Sequence, residues 1–222
     1  MDVKEQILNL KAAFRQGMNG VASAQMRQQG LVYKLNFGIE LPRLYEIAKD
    51  FPHDHDLAQA LWKEEVRESK IMAGILMPTE RFFPEVADIW VEQIPNQEIA
   101  ELTVMNLFQR LPYASEIAFR WVSDTREIFQ VCGLLLLARL CMKGCKFNES
   151  ASNELLDQAF TALQDKNERI ARQAYLLLMK YLTLGEEECK SVSAMLSGIT
   201  CAENPVLEGR LQVLQMECKP LL

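Results

Sequence analysis

Two carboxylates, Glu98 and Glu101, sit i,i+3 in the stretch 94–112, so on a helix they share one face. Such a pair could act as acid and base in catalysis. Pro95 and Pro112 punctuate the stretch, and Asn96 is a good N-cap. The opposite face is apolar, through Ala100, Val104, Leu107, Phe108 and Leu111. The competing reading of the two acids is plain: first-turn carboxylates are favoured by the helix dipole and remain solvated. His53-Asp-His-Asp56 brings both histidines of the chain beside two carboxylates. No third partner is marked, so a helix-capping turn is the better reading than a metal site. Cys141 and Cys145 lie i,i+4 with no further ligand nearby, as buried thiols do. Arg126, Arg139, Arg169, Arg172 and Lys180 could track a phosphate backbone, or could form helix-edge ion pairs such as Glu168 with Arg172. There is no Gly-rich phosphate loop, Gly-x-Ser-x-Gly elbow or His-Glu-x-x-His pattern. No metal and no cofactor is predicted.

Helices must position these residues. Hydrophobic residues make up 49% of the 222 and charged residues 24%, a soluble globular balance. Apolar residues recur with helical period almost throughout, and no strand-like alternation competes. The periodicity predicts helices over 2–17, near 22–29, and over 43–49, with 33–42 the least helical part. It then predicts pairs: 57–63 with 65–77, 82–93 with 97–111, 114–122 with 126–143, a Ser150- or Ser152-capped helix to 164 with 167–184, and 187–197 with 205–218. Second helices begin near 66, 97, 126 and 168. That spacing of roughly 30 to 40 residues is the range of helical-hairpin solenoids, whose second helices line a concave surface. Trp62, Trp90 and Trp121 read as core.

The net charge of −6 counts against strong nucleic-acid binding, which rests on neutralising phosphates. The longest apolar run, 133–138, is far too short to cross a bilayer. The N-terminal residues are polar and amphipathic, and the six cysteines include no CxxC pair. A reducing, cytoplasmic setting is expected.

Three segments carry a resemblance. They are Phe37-Gly-Ile-Glu-Leu-Pro-Arg-Leu-Tyr-Glu-Ile-Ala48, Leu57-Ala-Gln-Ala-Leu-Trp62 and Val66-Arg-Glu-Ser-Lys-Ile-Met-Ala73. Their order and spacing resemble the DNA alkylation repair family, the HEAT-like alkylpurine DNA glycosylases. Glu68 and Lys70 fill the family's charged places, with Lys70 where Arg is common and Arg67 where His is frequent. The resemblance is strongest over about 30–185. It implies an all-α fold, a right-handed superhelix of HEAT-like antiparallel hairpins, here one domain over 1–222. It also implies cleavage of the N-glycosidic bond of a cationic alkylated purine, with a carboxylate facing the sugar, aromatic walls and an Arg on a phosphate.

Set in the family's register, those functional positions fall on Asn96 and Ala100, on Gln130 or Val131, and on Leu177. All depart from the pattern: a methyl cannot balance an oxocarbenium, and Leu has no π face for a cation. A one-residue slip would put Glu101 at the carboxylate position and Gln97 at the aromatic one, which leaves Glu101 as the catalytic candidate. Arg172 and Lys180 match basic places in the family and, with Arg169 and Arg126, are the candidate DNA contacts. The sequence therefore points to a divergent member that binds duplex DNA in its groove, with glycosylase activity lost or altered. The alternative is a non-enzymatic HEAT-like scaffold for a protein or peptide.

Overall fold

A computed structural model describes residues 2–199 and 204–218. Among them there is no strand; one isolated parallel bridge joins Leu35 and Val66. The helices are α1 (Val3–Gln16), α2 (Gly20–Gln28), α3 (Leu41–Ala48), α4 (His55–Trp62), α5 (Arg67–Leu76), α6 (Pro84–Glu92) and α7 (Gln97–Asn106). They continue with α8 (Ala114–Val122), α9 (Glu127–Met142), α10 (Glu149–Leu163), α11 (Glu168–Tyr181), α12 (Glu186–Leu196) and α13 (Pro205–Glu217). The chain divides into two compact units, Met1–Pro112 and Tyr113–Leu222. No helix of the described residues is long and apolar enough to cross a membrane.

In the first unit α1 packs on α4, α4 on α5, and α5 lies between α3 and α7. This places the second helices side by side, as a hairpin array requires. Trp62 and Trp90 join α4 to α6 by stacking at 4.1 Å with 1° between ring planes, and Phe82 meets Trp90 edge-on at 5.0 Å. Both indole N–H groups find an acceptor, Trp62 at Gln93 Oε1 (2.9 Å) and Trp90 at Gln59 Oε1 (3.4 Å). These satisfied donors let two tryptophans sit in the interior without a desolvation penalty.

In the second unit α9 packs on α8 and α11, α10 on α11, and α13 on α11 and α12. Gly133 sets how closely α8 and α9 approach: a Cβ there would stand 2.7 Å from Val122 N and 2.8 Å from Ala118 O. The apolar run around it is therefore buried on nearly all sides; Leu134, Leu136 and Leu137 are fully covered.

Local chemistry sets the boundaries. Asp54 caps α4, accepting from Leu57 N at 2.8 Å, which is the role of the His53–Asp56 turn. Asn148, not Ser150 or Ser152, caps α10 through Ala151 N (2.8 Å): Asn caps as well as Ser, and it precedes both serines in the chain. The helix expected to run to Leu111 stops at Asn106 and passes into a 3-10 turn, Phe108–Arg110. Pro112 holds Leu111 extended (ψ 139), which a helix cannot accommodate.

Candidate functional site

The start of α7 is built from its cap outward. Asn96 Oδ1 accepts from Ile99 N at 3.1 Å, which leaves Glu98 in the first turn. Glu98 is not a solvated acid, contrary to the simple reading of the sequence. Arg67, at the start of α5, donates to it through Nη2 (2.7 Å) and Nε (3.0 and 3.1 Å). The Tyr33 hydroxyl reaches the same carboxylate and also lies 3.2 Å from Asn96 Oδ1. With one proton to give, Tyr33 serves the charged acceptor. Burial first, and the Glu98 hydrogen bond second, push the Tyr33 phenol far above its ordinary value. The Asn96 amide nitrogen is buried with no hydrogen-bond partner.

Arg67 is itself 3% exposed and the neighbouring Glu68 0% exposed. Arg67 Nη1 donates to Glu68 Oε1 (3.0 Å) and to the Ile39 carbonyl (2.9 Å). Glu68 accepts from the backbone N–H groups of Phe37 (3.1 Å) and Ile39 (3.3 Å). Burial alone would lower the Arg67 pKa; the Glu98 hydrogen bonds and the two carboxylate charges more than offset it and raise it. Gly38, between the two bonded amides, has φ +71, and a Cβ there would strike Asn19 O at 2.2 Å. Phe37-Gly38-Ile39 and Arg67-Glu68 are thus two halves of one buried clasp. It ties the irregular segment after α2 to α5 and α7.

Of the positions aligned with the family's catalytic set, Asn96 is the α7 cap described above, Ala100 lies in the first unit with it, and Gln130, Val131 and Leu177 lie in the second. Ala100 and Leu177 are fully buried in helix packing. Glu101 is exposed and accepts from Gln97 Nε2 at 2.9 Å, one turn back on the same helix. Val131 is buried. Gln130 donates to the Asp124 carbonyl (2.7 Å) and lines a cavity of about 270 Å³ with Asp157 and Asp165. Two carboxylates at that rim disfavour a phosphate there.

The basic candidates belong to the second unit. Arg126 is exposed, bonds Asp124 through Nε (2.9 Å) and Nη2 (2.8 Å), and lies 3.6 Å from the centroid of Phe129. Its hydrogen bonds and charge hold the Asp124 carboxyl down at about 2. Arg169 reaches Glu127 at 3.3 Å in the open. Glu168 pairs with Arg210 of α13 and not with Arg172. This corrects the pairing suggested by i,i+4 spacing and leaves Arg172 exposed, without an ion pair among the described residues. Lys180 is half-buried in the last turn of α11. Cys141 is buried beside Cys145, and burial first, then that neighbour, pushes its thiol up to about 12.

Sequence reasoning missed Tyr33 and the partnership of Arg67 with Glu98. One signal was available: Glu68 and Lys70 filled charged places in a segment with no room for solvated charge, so those charges needed buried partners.

Helical hairpins with their second helices side by side define a HEAT-like-repeat protein. A solved structure superposes with a TM-score of 0.73 at 17% identity, covering 97% of this chain and 95% of its own. That structure is from a family of proteins related to the HEAT-like repeat DNA glycosylases with affinity for branched DNA structures. A family model described as DNA alkylation repair enzyme matches residues 10–177. The chain belongs to the DNA alkylation repair enzyme family. No curated protein matches it.

Proposed function

We propose that this chain is a DNA-binding member of its family that does not release alkylated bases. The observation that carries the reading is the fate of the carboxylate position. Ala100 has no charge to offer and is fully buried, while the nearest rescue, Glu101, is exposed and bonded to Gln97, which stands at the aromatic position of that register and has no ring. Without a preorganised negative charge, an oxocarbenium-like transition state loses its main source of stabilisation. DNA affinity would rest on Arg126 at the cap of α9 and on Arg169, Arg172 and the half-buried Lys180 of α11. The affinity for branched DNA in the related family supports junctions as the first ligand to try. The net charge of −6 favours the other reading, a scaffold for a protein or peptide.

Release of free purine from methylated duplex DNA tests the first half. The expected result is release at the level of the protein-free control. Release above that level that disappears in Glu101→Gln would overturn the proposal and identify Glu101 as the catalytic carboxylate.

A further inference from the structure

Lys70 differs from the other cations of the first unit. Its ammonium donates to the Trp62 carbonyl at 2.8 Å and lies 4.5 Å from the centroid of the Trp62 ring. Among the described residues no carboxylate stands within ion-pair distance of it. Burial lowers its pKa, and the charge of Glu65 only partly opposes that. An ammonium has three donors, and here one is used on a protein acceptor. The indole beneath is fixed by its stack on Trp90 and its bond to Gln93, so the ring face that Lys70 lies over is held in place.

Lys70 forms part of the wall of a cavity of about 280 Å³, which Tyr33, Lys34, Glu65 and Gln93 also line. Lys34 is bonded there to Glu65 at 2.8 Å, in an ion pair largely open to solvent. Exposed pairs of this kind add little stability and exchange partners readily.

We propose that this cavity binds a phosphate group, held by Lys70 and by Lys34, with Glu65 as the competitor that the phosphate displaces from Lys34. Phosphate suits the site because it is compact, carries up to two charges and offers several acceptor oxygens to two point-charge donors. The site uses residues of the first unit only, so it does not depend on the proposed DNA contacts of α9 and α11. The phosphate can come from a free anion or from the end of a nucleic-acid strand.

Isothermal titration of the full chain with inorganic phosphate, against chloride at equal ionic strength, tests the site. Phosphate is expected to bind the native chain. Lys70→Met should weaken it about 10-fold or more, and Glu65→Gln should tighten it about 3-fold by removing the competitor. Glu5→Gln, which makes the same change of charge as Glu65→Gln at an exposed residue that does not line the cavity, should leave the affinity unchanged, and this separates a built site from a general charge effect. Because Glu65 is exposed, its variant carries the test even where Lys70→Met does not fold. No heat with phosphate, or the same affinity in the native and Glu65→Gln chains, would overturn the proposal. A 5′-phosphorylated oligonucleotide that binds more tightly than its 5′-hydroxyl twin assigns the site to strand ends; equal binding assigns it to free phosphate.

Discussion

Two acids three residues apart, alike in sequence, have opposite environments. Glu98 is held by Arg67 and Tyr33, whereas Glu101, among the described residues, has its hydrogen bond with Gln97 of its own helix. Removing Glu98 leaves a buried guanidinium short of a partner, at a cost of about 1–3 kcal/mol, while an exposed acid is worth under about 0.5 kcal/mol. Chemical denaturation should therefore show a lower midpoint for Glu98→Ala and an almost unchanged one for Glu101→Ala; equal effects would contradict the clasp. Tyr33 adds a pH dependence. Its folded pKa is raised above the ordinary 10.0, so the folded state keeps the proton that the unfolded state gives up. That contribution is whole below about pH 10 and is lost as pH rises towards the folded value. Stability measured between pH 9 and 11 should fall more steeply in the native chain than in Tyr33→Phe, and parallel profiles would rule out this titration. The sequence placed Glu68 and Lys70 at the family's charged positions but did not show what they touch: the backbone partners of Glu68, Phe37 and Ile39, lie in a segment without periodic pattern, and Lys70 reaches back to Trp62 of the preceding helix.

Helices were the most legible level. Apolar period and caps marked nearly every hairpin, because burial of one face is a local property of sequence. Boundaries failed where a non-periodic feature decides: Asn148 capped earlier than the serines, and Pro112 keeps Leu111 out of the helical run. Gly133 belongs to this scale too. By propensity, Gly133→Ala should stabilise α9 by up to about 1 kcal/mol. The α8 backbone less than 3 Å from the new methyl reverses the sign, with a net loss of about 1–3 kcal/mol. A thermal melt that shows Gly133→Ala equal to or more stable than the native chain would refute the close approach of α8 and α9.

At the scale of the whole molecule, the family was legible from residues that turn out to be scaffold. Gly38 and Glu68 are among the residues that carry the resemblance, because a positive φ with a close backbone contact, and a fully buried carboxylate, tolerate few alternatives. A family signature of that kind reports the fold and is silent on the reaction. Chemistry needs the other positions, and there Ala100 and Leu177 are packing residues. The proposed DNA binding accordingly rests on Arg126 at the cap of α9 and on the cations of α11. The most direct measurement is the affinity for a labelled four-way DNA junction as a function of salt. Binding at low salt is predicted, with log K falling linearly against log salt. In Arg172→Gln with Lys180→Gln the slope should be shallower by up to about two phosphate contacts. No binding at low salt, or an affinity indifferent to salt and to both substitutions, would contradict the account.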